Sequence, residues 1–211
     1  MRILIITHPR SGGTILTQWL SKELGYSFIN EPDYEEANDS AKIAANSEDN
    51  IVVKIFPYRF TNNNVDVLSL IKTYDKIICH MRSNPLDVAI SLTHSLLTKN
   101  FNLPYIIDNE FLETNLNLIL EQIETVKNFY YLDVKKYVSI DSLCTTYDDV
   151  YNTKKDIDNI KEFIGLNELK FIDMLDVDNK YSKGNLNLDM LRKHPKITPF
   201  SSIEKFRKTL L

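Results

Sequence analysis

The sequence predicts a three-layer α/β fold, in which helices flank both faces of a central, mainly parallel sheet. Short β-branched runs alternate along the chain with amphipathic segments of helical spacing, the order that builds βαβ units. Strands of this kind bury both faces, so they read as continuous apolar runs. The 211 residues predict one domain over residues 1–211, since a single hydrophobic core commonly serves up to about 250 residues.

The N-terminal half predicts four strands and at least three helices. Gly25 ends the first of these helices, and Pro85 occupies the favoured first turn of the last. The predicted strands are Arg2–Thr7, Tyr26–Asn30, Ile51–Phe56 and Lys76–Met81. The predicted helices are Thr14–Leu24, Val65–Thr73 and Leu86–Thr98, with a polar helix or loop at Asp33–Asn46.

The pattern of predicted helices and strands is less regular in the C-terminal half. A long helix is predicted from about Asp108 to Leu132, then a strand at Tyr137–Ile140, then a helix over Thr153–Ile164 that Gly165 ends. The segment Asn179–Pro199, rich in Lys, Asn and Gly, predicts an irregular loop before a short basic terminal helix.

Composition and charge exclude several classes of protein. With 43% hydrophobic and 26% charged residues, the chain has the composition of a soluble globular domain. A net charge of -4 argues against a surface built to neutralise nucleic acid. The longest N-terminal apolar run, Ile3–Ile6, is too short for a signal peptide or membrane span, so we expect a cytoplasmic protein with no membrane partner. Cys79 and Cys144 lack CxxC spacing and are expected to be buried thiols.

The segment His8–Thr14, between the first strand and the first helix, has the parts of an anion cradle. Glycines free backbone N–H groups, the helix dipole adds about half a positive charge, and Arg10 adds a full one. Neither the lysine nor the upstream glycine of the Walker A pattern is present, which argues against an ATP or GTP hydrolase. The alternative is a tight turn that contains an arginine by chance.

This segment resembles the first signature of the PAPS-dependent sulfotransferase family, [YH]-P-[KR]-S-G-[TG]-T, which binds the 5′-phosphosulfate of 3′-phosphoadenylyl sulfate. The resemblance implies a P-loop-like version of the predicted fold and PAPS as the sulfuryl donor, with PAP as product. It assigns cofactor binding to Pro9, Arg10, Ser11, Gly12, Gly13 and Thr14.

Two further stretches carry the resemblance. Arg82 to Ser91 is similar to the signature R-[ND]-P-x-[DE]-x-A-x-S, in which the Arg and Ser hold the 3′-phosphate. Here the two are nine residues apart where the family usually has eight, so an extra residue must be absorbed near Ser83 and Asn84. Ser139–Leu143, followed by Ile160–Leu166, resembles the family's YEDL and IxxFLGL segments.

A late loop and the general base complete the expected site. Lys183 and Gly184 resemble the end of the family's RKG loop, which closes over the 3′-phosphate and adenine. Many members have a catalytic His in a KTHxP segment, and the matching Lys54-Ile-Phe-Pro57 has Phe56 at that position. Other branches use a Glu after the second strand, which implies Glu31 as base.

Alternatives to these roles remain open. Glu31 could be a solvated loop carboxylate, Lys54 could touch the transferring sulfuryl group or extend from a strand end, and His94 could play a supporting role. No spacing of acids and histidines predicts a metal site.

We therefore expect a sulfotransferase that moves the sulfuryl group from PAPS to a hydroxyl or amine acceptor by in-line displacement, with Arg10, Glu31 and Lys54 as catalytic residues. The alternatives are a P-loop-like kinase of a small metabolite and an inactive protein that binds PAPS or PAP. The acceptor and the oligomeric state have no signature in the sequence.

Overall fold

The computed structural model describes residues 1–32, 50–61, 66–99, 105–129, 134–138, 141–166 and 181–183. Its centre is a five-stranded, all-parallel sheet. The strands are β1 (Arg2–Thr7), β2 (Ser27–Asn30), β3 (Ile51–Ile55), β4 (Lys76–Met81) and β6 (Ser142–Thr146). Their order across the sheet is β2-β3-β1-β4-β6. Two short strands, β5 (Tyr105–Ile107) and β7 (Tyr181–Lys183), form a separate parallel pair.

Helices connect these strands. They are α1 (Gly13–Leu24), α2 (Pro57–Thr61), α3 (Val67–Ile71), α4 (Pro85–Thr98), α5 (Asn109–Thr114), α6 (Leu116–Asn128), α7 (Val134–Val138) and α8 (Lys155–Ile164). A π-helix at Asp148–Asn152 follows β6. In the part of the chain that the structure describes, none of the helices combines the length and apolar character that crossing a membrane requires.

The side chains of the central strand β1 lie alternately in two hydrophobic cores, one on each face of the sheet. Ile3 and Ile5 pack with residues of α1, the π-helix and α8, whereas Leu4 and Ile6 pack with residues of α3, α4, α6 and α7. Successive side chains of a strand point to opposite faces, so a strand covered on both sides must be apolar throughout. The predicted three-layer α/β fold is thereby confirmed.

The predicted helix starts and stops are confirmed where the local signals were strong. Gly25 ends α1 and Gly165 ends α8, both in the left-handed conformation that glycine adopts without steric cost. At the start of α4, the Asn84 side chain accepts a hydrogen bond from the Leu86 N–H, and Pro85 begins the helix. Three residues, Arg82–Asn84, thus connect β4 to α4.

The strand predicted at Tyr137–Ile140 is wrong at Tyr137 and Val138, and residues 139–140 lie outside the described part of the chain. Residues 134–138 form α7, and the strand that pairs with β4 on the side away from β1 is β6, at Ser142–Thr146. Val134 and Tyr137 are three residues apart and are both buried in the same core, which is helical spacing. The run was too short for its period to be read from the sequence. Of the stretch Ser139–Leu143, Ser142 and Leu143 lie in β6, whereas residues 139–140 lie outside the described part of the chain.

Two other differences concern the C-terminal half. The helix predicted over Asp108–Leu132 is broken at Asn115, which separates α5 from α6, and residues 130–133 lie outside the described part. Inside the predicted loop Asn179–Pro199, residues Tyr181–Lys183 form β7. The pairing with β5 that makes this segment a strand is formed with a distant part of the chain, which no local pattern encodes. The predicted segments 33–46 and 184–211 also lie outside the described residues.

The buried Asp156 carboxylate links α8 to the end of β6. We expect its removal to lower the stability of the fold. The carboxylate of Asp156, 1% exposed, accepts hydrogen bonds from the Thr146 backbone N–H at 3.0 Å and from Asn159 Nδ2 at 3.1 Å. Asp156→Ala leaves a buried N–H unpaired, so we expect the free energy of unfolding to fall by about 1–3 kcal/mol in urea titrations.

The matched control is Asp158→Ala on the same helix. The Asp158 side chain is 85% exposed and pairs with Lys161 at 2.9 Å. Exposed pairs of this kind contribute little, so the control should change stability by less than about 0.5 kcal/mol. Equal losses in the two variants would contradict a structural role for the buried carboxylate.

Candidate active site

The loop between β1 and α1 adopts an anion-cradle geometry at the carboxyl edge of the sheet. The Ser11 N–H donates to the His8 carbonyl at 3.3 Å, and Gly12 caps α1 in the left-handed conformation with φ 85°. Arg10 also has a positive φ, 66°, which is uncommon for a residue with a side chain. The turn presents the N-terminus of a twelve-residue helix to the space beyond β1, where open parallel sheets bind ligands.

The two glycines of this loop are required by close contacts. A Cβ on Gly12 would lie 2.5 Å from Cδ2 of Tyr147, and a Cβ on Gly13 would lie 2.5 Å from Cγ2 of Thr7. Both distances are far below van der Waals contact. Gly12 combines such a contact with its positive φ, so this position excludes every other residue type without local rearrangement.

Ser11 offers a buried hydroxyl to the same cradle. The residue is 1% exposed, and among the described residues its Oγ has no hydrogen-bond partner. An unpaired buried hydroxyl costs free energy unless a ligand or water satisfies it. The cradle therefore combines a helix N-terminus, closely approached glycines and an unsatisfied hydroxyl, a donor set that suits the oxygens of a phosphate group.

Arg10 connects this loop to the second motif. Its Nε donates to Ser91 Oγ at 2.9 Å, although the two residues are 81 positions apart. Ser91 lies on the buried side of α4, at 3% exposure. His94, one turn further along α4, is close enough that burial first and then the charge of Arg10 lower its pKa. The structure thus brings Arg10, Ser91 and His94 together.

Lys54 and Glu31 meet on the other side of the loop. Lys54, near the end of β3 and 2% exposed, donates from Nζ to Thr14 Oγ1 at 2.7 Å and to Glu31 Oε1. Burial lowers the pKa of Lys54, and its contact with the Glu31 carboxylate opposes that shift. The predicted base, the predicted lysine and the loop between β1 and α1 thus form one hydrogen-bonded network.

The backbone at Glu31 is constrained as well. Its N–H donates to the Lys54 carbonyl at 3.1 Å, and its φ is 54°. The second carboxylate oxygen lies 3.6 Å from Arg59 Nη2. The side chain is 28% exposed, so Glu31 is neither an isolated surface acid nor a fully buried one.

Phe56 is buried where a catalytic histidine would stand in the KTHxP pattern. It is 4% exposed and stacks on Tyr58 with ring centroids 6.0 Å apart. The cations of Lys54 and Arg59 lie 4.7 and 5.1 Å from its ring centroid. These contacts are cation–π interactions, so Phe56 supports the two cations that contact Glu31.

Arg82 and Tyr147 lie on a third side of the loop. The Arg82 guanidinium is 4.9 Å from the Tyr147 ring centroid, and that ring in turn covers Gly12. Tyr151 Oη donates to the Gly12 carbonyl at 3.0 Å. Reasoning from the sequence missed both tyrosines because it placed the strand at Tyr137–Ile140. The signal that could have found them is a pair of tyrosines four residues apart after a short β-prone run.

Of the two late-loop residues, Lys183 ends β7, opposite Ile107 of β5. Ile107 belongs to the same apolar cluster as Ala89 and Ile90 of α4, the helix that carries Ser91. Gly184 lies outside the described residues. The described residues contain no cluster of three or more His, Cys, Asp or Glu side chains able to hold a metal ion.

Two buried histidines flank the site. Burial lowers the pKa of His8 to about 4 and that of His80 to about 3. His8 Nδ1 lies 3.0 Å from the Pro9 carbonyl oxygen, and His80 Nδ1 lies 2.9 Å from Thr145 Oγ1. Both side chains are therefore neutral in the folded protein at neutral pH, and they serve as packing groups rather than as cations.

These shifts predict that acid destabilises the fold. Below about pH 6.5 the unfolded chain binds protons that folded His8 and His80 do not. The free energy of unfolding therefore decreases as the pH is lowered. Between pH 7 and 5 each histidine should contribute a loss of about 2 kcal/mol. Urea titrations at the two pH values measure the change, and His80→Gln should remove about half of it. A pH-independent free energy of unfolding would contradict the prediction.

The fold and the site together define a P-loop-like α/β protein. No family model matches the sequence, and no curated protein does. Solved structures similar to this chain at low identity include a sulfotransferase, a kinase and a dehydratase. Mouse sulfotransferase SULT7A1 complexed with PAP is 18% identical, with a TM-score of 0.44 over 83% of this chain and 61% of that one.

The other two are a kinase and a dehydratase. Shikimate kinase from Bacteroides thetaiotaomicron is 15% identical, with a TM-score of 0.47 over 79% of this chain and 99% of that one. Retinol dehydratase in complex with androsterone and the inactive cofactor PAP is 17% identical, with a TM-score of 0.43 over 99% of this chain and 78% of that one. The chain spans 61% of the length of the mouse sulfotransferase.

Proposed function

We propose that this protein is a sulfotransferase that moves the sulfuryl group of PAPS to a hydroxyl or amine acceptor. One observation carries the proposal. The hydrogen bond from Arg10 to Ser91 joins the first phosphate motif to the second, while Lys54 joins the first motif to Glu31. These residues come from separate motifs, some predicted to bind the donor and one predicted to act as the base. In the structure they form one connected cluster.

The residues present suit the proposed donor. The 5′-phosphosulfate would be held by the loop N–H groups, the unsatisfied hydroxyl of Ser11, the Thr14 hydroxyl and the Arg10 guanidinium. Arg82 and Ser91 would hold the 3′-phosphate. Because Ser91 also contacts Arg10, we expect occupancy of one phosphate position to affect the other.

The chain's own residues would supply the catalysis. When bound, PAPS supplies a sulfuryl group whose bond to the 5′-phosphate oxygen breaks as the acceptor oxygen or nitrogen bonds to sulfur, the electron pair leaving with PAP. Glu31 would take the proton that the acceptor loses. Arg10 and Lys54 would neutralise charge on the departing phosphate and the transferring group. Positioning and electrostatics suffice for such a displacement, and no covalent enzyme intermediate is needed.

Nucleotide preference tests the proposal. Thermal unfolding should be measured with PAPS, PAP and ATP, because a ligand present at 100 times its Kd adds about 2.7 kcal/mol to folding stability. We expect stabilisation by PAPS and PAP. A second comparison sets PAPS against adenosine 5′-phosphosulfate, which lacks the 3′-phosphate. Wild type should prefer PAPS, and Arg82→Ala should reduce that preference.

The outcomes separate the candidate functions. Stabilisation by ATP alone would favour a small-metabolite kinase and overturn the proposal. Binding of PAP and PAPS without transfer to any acceptor, in a screen with labelled PAPS across phenols, alcohols, saccharides and amines, would indicate an inactive binding protein. Equal affinity of the wild type for PAPS and adenosine 5′-phosphosulfate would remove the assignment of Arg82 and Ser91.

A further inference from the structure

Tyr151 packs against the phosphate loop from the core between the sheet and α8. The residue is 5% exposed, and its hydroxyl donates to the Gly12 carbonyl at 3.0 Å. The same carbonyl accepts the N–H groups of Ile15 at 3.1 Å and Leu16 at 3.2 Å, the first hydrogen bonds of α1. The tyrosine hydroxyl is thus a third donor to the oxygen that begins the helix.

Because the peptide group is planar, this contact also sets the direction of the next N–H group in the loop. In a planar trans peptide the carbonyl and the following N–H point in opposite directions. A Gly12 carbonyl held towards Tyr151 and the helix therefore directs the Gly13 N–H the other way, out of the helix N-terminus. We infer that Tyr151 is a positioning residue, whose hydroxyl orients the Gly12–Gly13 peptide so that its N–H faces the 5′-phosphate of the nucleotide. The inference rests on the proposed function.

The surroundings of Tyr151 hold its ring in place for this task. It contacts the Tyr147 ring at a centroid distance of 4.5 Å and meets His80 edge-on at 5.9 Å. Tyr147 occupies the space where a Cβ of Gly12 would lie, and the Arg82 guanidinium lies over the Tyr147 ring. Gly12 is therefore contacted by two tyrosines of the segment around the π-helix, a local geometry that is frequent at functional sites.

Packing alone does not require the hydroxyl. A phenylalanine would fill the same volume of this apolar cluster without burying a polar group that needs a partner. The position thus carries a buried hydrogen-bond donor aimed at one loop carbonyl. Tyr151→Phe removes that donor and leaves the ring contacts intact, so it tests the inference with little disturbance of the core.

The test compares two ligands that differ by the phosphate that the loop would hold. Binding of PAP and of adenosine 3′-phosphate, which lacks the 5′-phosphate, should be measured by calorimetry for wild type and Tyr151→Phe. We expect the variant to bind PAP about threefold to tenfold more weakly and adenosine 3′-phosphate within about twofold of wild type. The matched control is Tyr74→Phe, a buried tyrosine before the amino end of β4. It should leave both affinities unchanged.

Each outcome decides the inference. An equal loss of affinity for both ligands would mean that Tyr151 only supports the fold, and no loss for either would mean that the hydroxyl does not act on the loop. Wild type that binds neither ligand would contradict the proposed function. Amide hydrogen exchange of Ile15 and Leu16, whose N–H groups share the Gly12 carbonyl, would then decide in the unliganded variants, since faster exchange in Tyr151→Phe but not in Tyr74→Phe supports the orienting role, and unchanged exchange overturns it.

Discussion

Glu31→Gln is expected to lower kcat for a verified acceptor by about 10²-fold or more while leaving PAPS affinity within a few-fold of wild type. Glutamine keeps the shape of the side chain and can still accept a hydrogen bond from Lys54, but it cannot take the acceptor proton. Steady-state kinetics and calorimetry on the same preparation measure the two quantities.

A series of acceptors sharpens this experiment. An acceptor that is already ionised at the assay pH needs no base, so the loss of kcat should shrink as the acceptor hydroxyl becomes more acidic. Glu124→Gln is the control, because the Glu124 side chain is about half exposed and its ion pair with Lys127 at 3.0 Å is formed within α6. Turnover of Glu31→Gln within a few-fold of wild type would place the base elsewhere, and His94 and Lys54 would be substituted next. A collapse of PAPS binding would assign Glu31 to support of the loop.

Arg10→Ala is expected to weaken the binding of PAPS and PAP by about 10- to 100-fold. The substitution removes a charge-assisted contact to phosphate, and hydrogen bonds to charged groups contribute about 1.5–3 kcal/mol. It also removes the bond to Ser91, so the preference for PAPS over adenosine 5′-phosphosulfate should change with it. Calorimetric titration of the three nucleotides measures both effects.

Arg2→Ala is the matched control for Arg10→Ala. Arg2 is at the opposite end of β1, where its guanidinium lies 3.9 Å from the Asp75 carboxylate. Removing this partly exposed pair should leave nucleotide affinity unchanged. The assignment of the loop would be overturned if Arg10→Ala bound PAPS and PAP as tightly as the control and turned over at the same rate.

Local signals in the sequence predicted the N-terminal half of the fold closely. The apolar run of β1, the Ser-Gly-Gly turn and the stop at Gly25 each act over a few residues, so their consequences could be read without tertiary information. The same holds for Asn84 and Pro85 at the start of α4. The prediction failed at Tyr137–Ile140, where a short apolar segment fits a helix and a strand equally well.

The candidate site also has features that the sequence determined and features that only the tertiary structure decided. The sequence by itself determined the residue types at the ends of the parallel strands, and parallel pairing brings those ends to one edge. Which side chains touch was decided only by the tertiary structure, because the bonds from Arg10 to Ser91, from Lys54 to Glu31 and from Tyr151 to Gly12 join positions 81, 23 and 139 residues apart. Such contacts depend on the packing of whole elements, and no local periodicity encodes them.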